Sequence, residues 1–231
     1  MAAVVIPDST TNIALNNNDQ MFINEDINVI VSSGAAIATV TSVRAQVFNL
    51  GTVTAVASTA MDFESTSGLI YNAGTILSGR FSPLAIDIRP EFVTSELQIT
   101  NAVGGRIVGE VEIVETGTVS DSPQNGTLTV VNNGEMIMPA SSAGSTVYAL
   151  FASGAFPVSV TNTGLISGEE GLFVNTDGRD RNTVTLHNTG EIIGTEADGV
   201  DISSASAERS VIDNSGLISG ADNAVEMSGN V

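Results

Sequence analysis

Five carboxylates in the C-terminal part of the chain recur at matching places in a repeating sequence: Glu170, Asp198, Asp201, Asp222 and Glu226. Oxygen-only clusters of this type suit Ca²⁺, which takes several carboxylate, carbonyl and water ligands. Glu169-Glu170, Glu196 with Asp198, and Asp222 fall in the turn between the second and third short apolar segments of successive repeats. Asp201 and Glu226 fall in equivalent outward positions of the third segment. Carboxylates stacked at strand spacing repel by about 1 kcal/mol per pair in water. A Ca²⁺ bridging two repeats relieves that repulsion; a solvated acidic face is the competing reading. The loop Asp177-Gly178-Arg179-Asp180 is a second cation candidate, partly neutralised by Arg179 and Arg181.

Other chemistries fit less well. His187 is the sole histidine, so a site built from several imidazoles is excluded. It sits one residue before Asn188 in the outward phase and reads as a solvated side chain. Cysteine is absent, which excludes disulfides and thiolate metal sites. A polysaccharide lyase needs a base and cations to neutralise an acidic sugar, yet the chain has no Lys and its seven basic residues are scattered Arg. A hydrolase needs two or three carboxylates on one groove. Asp198, Asp201 and Glu226 are the residues for it, with Phe173 as the nearby aromatic. The net charge of −19 disfavours nucleic acid, anionic membrane and uronate polymers as partners. No apolar run approaches the length of a membrane-spanning helix, and the first residues lack the pattern of a cleaved signal peptide.

These residues hang on a repeat. Asn-x-Gly recurs at Asn49, Asn72, Asn132, Asn162, Asn188 and Asn214, with a looser copy over Asn101 to Gly105. Two residues before each Asn stands an aliphatic residue: Val47, Ile70, Ile99, Val130, Val160, Leu186 and Ile212. The Asn therefore shares the inward phase, and stacking at strand spacing places the amides within reach of one another as a ladder. Val53, Ile76, Ile107, Met136, Ile166, Ile192 and Ile218 make a second inward column. The Gly after each Asn serves either a positive φ or a close backbone approach. In the last three copies a third alternating segment follows: Leu172 to Val174, Val200 to Ile202 and Val225 to Met227. Period-2 alternation indicates strands. The expected fold is all-β: a right-handed parallel β-helix (a solenoid) with three short strands per coil, about 26 residues per coil and seven to eight coils. Hairpins of an antiparallel sandwich are the competing reading of Asn-Gly.

Residues 1–36 are less periodic and read as an N-terminal cap and entry to the first coil; residues 37–231 read as the β-helix. The last coil reaches Val231 without a polar closing segment, so the repeat is expected to continue in a longer protein.

Outward on or near the second strand stand Leu77, Val108, Ile137, Leu165, Ile193 and Leu217. If contiguous, they form a self-association stripe; the favoured expectation is that insertions around 80–97, 115–127 and 139–157 fold over it. The stretch from Pro139 to Pro157, with Tyr148, Leu150, Phe151 and Phe156, is expected as a packing loop or a recognition knob.

At the level of Asn-x-Gly-x-Ile-x-Gly, seen at Asn162–Gly168, Asn188–Gly194 and Asn214–Gly220, residues 37–231 resemble secreted bacterial β-helix proteins. Autotransporter and adhesin passengers are among them, as are the N-terminal β-helices of RTX-type calcium-binding proteins of marine alphaproteobacteria. The resemblance implies an extracellular or cell-surface, non-catalytic stalk or adhesive segment, exported by a signal outside this stretch. Its implied partners are an extracellular glycan or cell surface, or further copies of itself. The glycine-rich calcium nonapeptide of RTX proteins is absent, so those sites do not carry over. The alternatives are a polysaccharide-active lyase, hydrolase or epimerase, and a self-assembling filament subunit.

Overall fold

The computed structural model describes residues 3–5, 7–39, 44–64, 67–79, 84–90, 96–116, 126–139, 146–176, 183–204 and 210–229. Among them there is no helix, and the strands order into three parallel sheets of nine, eight and nine strands. The first sheet holds the segments that end in the repeat's Asn, such as Val158–Asn162, Val184–Asn188 and Val211–Asn214. The second holds the segments after the Gly, such as Leu165–Gly168, Glu191–Gly194 and Leu217–Ser219. The third holds Glu170–Thr176, Val200–Ser204 and Val225–Gly229. Each strand pairs with its counterpart one coil away, so the chain is a parallel β-solenoid with three strands per coil. Within residues 1–36, Gln20–Ile23 and Asn28–Val31 already stack in register on Arg44–Asn49 and Thr52–Ala55.

Alternation builds the interior. In Val158–Asn162 the residues run buried, partly exposed, buried, partly exposed, buried. Both expected inward columns are sealed through the body of the stack: Val47, Ile99, Val130 and Leu186 in one and Val53, Ile76, Ile107, Met136, Ile166 and Ile192 in the other have no exposed surface. Burying an aliphatic side chain contributes roughly 1.5–3 kcal/mol. Repeated coil after coil, these columns supply the core that few aromatics supply here.

The asparagines complete it. From Asn49 onward each Nδ2 donates to the Oδ1 of the Asn one coil further on: Asn49 to Asn72 (2.7 Å), Asn72 to Asn101 (2.8 Å), Asn101 to Asn132 (2.8 Å), Asn132 to Asn162 (2.8 Å), Asn162 to Asn188 (2.7 Å) and Asn188 to Asn214 (2.7 Å). The same nitrogens also donate to a carbonyl opening the next second-sheet strand, for example Asn132 to Leu165 O (2.9 Å) and Asn162 to Glu191 O (3.1 Å). The looser copy at Asn101 joins the ladder like the rest. Before Asn49 the same register place belongs to Ile23, and Asn49 Oδ1 is buried without a partner.

The Gly of Asn-x-Gly is explained by close approach. None of Gly74, Gly164 or Gly190 has a positive φ. A Cβ on Gly74 would strike the Gly51 carbonyl oxygen, and one on Gly164 the Gly134 carbonyl. Those carbonyls receive the next coil's amide, as in Thr75 N to Gly51 O (2.8 Å) and Leu165 N to Gly134 O (2.9 Å). The corner column is thus a line of backbone stacked on backbone.

The middle coils depart from expectation. Leu84–Ile88 and Tyr148–Gly154 are strands of the third sheet, paired on either side of Glu110–Val114. The aromatic stretch therefore contributes a rung of the solenoid, with Leu150 and Phe156 in the core. The outward apolar residues divide into two columns. Leu77, Val108, Ile137, Ser167 and Ile193 are successive partners; Leu165, Glu191 and Leu217 form the neighbouring rank.

Candidate functional site on the outer face of the third sheet

Along the outside of the third sheet, register places Asp62, Asp87, Glu112, Phe151, Phe173, Asp201 and Glu226 in one line. Neighbours in such a line are about 4.8 Å apart at the backbone. The column is acidic at both ends and aromatic in the middle.

The aromatic centre is a three-ring cluster. Phe151 and Phe173 stack with centroids 5.1 Å apart and planes 5° from parallel. Tyr148 leans on both, at 5.0 Å from Phe151 and 5.2 Å from Phe173, with tilts of 50° and 48°. Such offset and tilted pairs add about 0.5–1.5 kcal/mol beyond burial. Tyr148 and Phe151 lie three residues apart, which ordinary alternation would send to opposite faces. Between them Ala149 and Leu150 are both buried, and the pairing steps from Tyr148↔Glu170 directly to Leu150↔Leu172. The register itself does not slip there, unlike the pairing of Leu84–Ile88 with Glu110–Val114, which shifts between Leu84 and Ile86. The two consecutive inward residues bring Tyr148 and Phe151 to one side.

At the N-terminal acidic end, Arg89 spans two coils, with Nε 2.9 Å from Asp87 and a terminal nitrogen 3.5 Å from Glu112. Burial raises the carboxyl groups of Asp62 and Glu112, Asp87 adds to both, and Arg89 draws both back. Glu110, buried beside Glu112 and Asp87, is pushed up to about 8, first by burial and then by those neighbours.

At the C-terminal acidic end the described residues include no such cation. Among the described residues, Glu170, Asp198, Asp201 and Glu226 have no ion-pair partner. Glu170 opens its third-sheet strand opposite Tyr148, is 6% exposed, and its Oε1 has no hydrogen-bond partner. Burial, then Asp201, Asp198 and Glu226, push it up to about 8. Asp201 is raised by burial, then by Glu226 and Asp198. Tyr148 is raised by burial, then by Glu170, Glu110 and Asp201.

Of the five carboxylates singled out in the sequence, four are brought together. Asp201 and Glu226 are register partners, as their matching positions suggested. Glu170 belongs to a strand and is buried, whereas the sequence placed it in a turn. Asp198 holds its turn: its Oδ1 accepts from Asn223 N (2.8 Å) and Asn223 Nδ2 (2.9 Å). Asn223 Nδ2 also reaches Glu226 at 3.4 Å. Asp222 is exposed in a turn and is not among the groups that shift Glu170 or Asp201. Among the described residues, no three carboxylates converge as a ready-made cation site. The loop 177–180 lies outside the described residues. His187 is on the first sheet, exposed, with Nδ1 3.0 Å from Asp213 Oδ2.

Tyr148 and Phe151 stood out in the sequence as part of an aromatic stretch and Phe173 as the ring beside the carboxylates, but not as one cluster, and Glu110 was not singled out. The available signal was that Tyr148-Ala149-Leu150-Phe151 and Glu170-Gly171-Leu172-Phe173 align residue for residue, one coil apart. Compared with family models, curated proteins and solved structures, the chain gives no match.

Proposed function

We propose that this β-solenoid is a non-catalytic, adhesive or structural segment of a secreted bacterial protein, and that its third-sheet face docks an extracellular glycan. The observation that carries the reading is the cluster of Tyr148, Phe151 and Phe173 on an outward strand face, flanked by Glu170 and Asp201. Aromatic faces receive the apolar side of a sugar ring, and adjacent polar groups fix its orientation. A rigid stack of coils suits the role because it holds the rings in a fixed line without a moving part. The extracellular setting rests on the resemblance of the Asn-x-Gly-x-Ile-x-Gly repeats to secreted bacterial β-helices. Calcium belongs to the proposal as a bridge between the register-paired Asp201 and Glu226.

The test is binding of the purified chain to a panel of immobilised neutral, amino and acidic oligosaccharides, beside the Phe173→Ala variant. Retention of neutral or amino sugars that is lost in the variant supports the reading. No retention of any sugar removes it.

A second reading, a polysaccharide hydrolase, draws on one specific observation. Glu170, Asp201 and Glu226 come from three successive coils beside Phe173, with the Glu170 carboxyl pushed up to about 8 by burial and then by its acidic neighbours. A protonated carboxyl next to ionised ones is the pairing glycoside hydrolysis uses. Release of reducing ends from a polysaccharide, abolished by Glu170→Gln, would select it.

A further inference from the structure

We infer that the glycan face is selective for sugars bearing a free amino group, the ammonium being received between Glu170, Asp201 and Glu226 while the ring lies on Tyr148 and Phe173. This rests on the docking reading above and names its ligand class.

Three observations converge. First, the carboxylates on this side of the rings lack a cation among the described residues, whereas those on the other side share Arg89. One acidic end is internally compensated, and the other has no such compensation among the described residues. Secondly, Glu170 is buried within this group yet leaves Oε1 without a partner. A buried oxygen with no donor costs free energy, and an ammonium supplies three donors. Thirdly, the rings and these carboxylates occupy adjacent strand positions: Phe173 is the register partner of Asp201, and Tyr148 that of Glu170. A cation next to a ring face is attracted by the ring's quadrupole as well as by the carboxylates. Apolar faces with flanking anions fit a pyranose carrying an ammonium. They disfavour a uronate, which the net charge of −19 also repels.

The experiment is calorimetric titration of the whole chain near neutral pH with three oligomers of equal length: glucosamine, N-acetylglucosamine and glucose. A lysine oligomer is the charge control. The expected result is that the glucosamine oligomer binds about tenfold tighter than the other two sugars, as a desolvated cation beside a ring warrants. The double variant Glu170→Gln, Asp201→Asn removes that preference, so that the three sugar oligomers bind with equal affinity. Its circular dichroism and melting midpoint establish that it folds; if it does not, the single Asp201→Asn, at a partly exposed position, takes its place. Equal affinity for all three sugars overturns the amino preference and leaves glycan docking standing. Binding of the lysine oligomer as tight as glucosamine, and indifferent to Phe173→Ala, overturns it in favour of charge alone. No binding of any sugar removes the docking reading itself.

Discussion

Replacing Asn162 by Leu tests the ladder most directly. Asn162 Oδ1 accepts from Asn132 (2.8 Å), and its Nδ2 donates to Asn188 Oδ1 (2.7 Å) and Glu191 O (3.1 Å). Leu has a similar volume but neither group. The substitution strands Asn188 Oδ1 without its donor in a place with no exposed surface. Asn132 Nδ2 loses an acceptor but keeps Leu165 O (2.9 Å). A buried unsatisfied polar group costs about 1–3 kcal/mol, and the lost bond to Asn132 adds roughly 1 kcal/mol. The expected destabilisation is about 2–4 kcal/mol, which for a chain of this size lowers the melting midpoint by roughly 5–15 °C. Asn49→Leu is the internal control. Asn49 Oδ1 already lacks a partner, and the coil before it places Ile23 in that register position. Its replacement strands only Asn72 Oδ1 and removes an existing orphan, so the midpoint falls by less than half as much. Differential scanning calorimetry of both variants decides it. Equal losses, or no loss at Asn162, would refute the argument that the ladder's bonds, rather than mere filling of the corner, hold the coils.

Three further outcomes are expected. Glu110 and Glu170 are raised from 4.5 to about 8, so between those values the folded chain holds protons that the unfolded chain has released. The stability they contribute is complete below about pH 4.5 and is lost as pH rises through about 8; melting midpoints across that range should fall, and fall less in Glu110→Gln, Glu170→Gln. Gly164→Ala should destabilise by several kcal/mol, beyond the roughly 1–3 kcal/mol of ordinary overpacking, because the Gly134 carbonyl it meets is bonded to Leu165 N and has no room to yield; chemical denaturation would measure it. Millimolar Ca²⁺ should raise the midpoint through the Asp201–Glu226 pair, and Asp201→Asn should abolish the rise; a wild-type midpoint indifferent to Ca²⁺ removes the bridge.

The architecture was legible because each structural demand leaves a residue-level mark. Inward positions demand aliphatics, so Val47 through Leu186 repeat at one phase. The corner demands an amide and no Cβ, so Asn-x-Gly repeats with it. Even the looser copy at Asn101 keeps the Asn in phase, and its extra residues are absorbed in the following turn. The candidate site was only half legible. Asp201 and Glu226 matched because their strands begin regularly. That Tyr148 and Phe151 share one face of a strand escaped because two consecutive residues between them point inward, which breaks the period-2 rule on which strand reading depends. Glu170 was singled out but assigned to a turn for a related reason: it starts the strand earlier than the alternation of Leu172 to Val174 suggests. The burial that lifts its carboxyl group comes from neighbouring coils, which a linear reading does not bring together.

The ladder also gives the molecule a direction. Every amide from Asn49 to Asn188 hands its proton donor the same way along the axis, so the amide dipoles align head to tail instead of cancelling. Aligned hydrogen bonds polarise one another, and no single amide can flip without setting nitrogen against nitrogen on one side and oxygen against oxygen on the other. The orientation is therefore collective. Asn49 holds a bare acceptor buried at one end of the ladder, where Ile23 takes the preceding register position, while at the other Asn214 Nδ2 is bonded to Gly216 O. The ladder is an arrow laid along the axis of the solenoid.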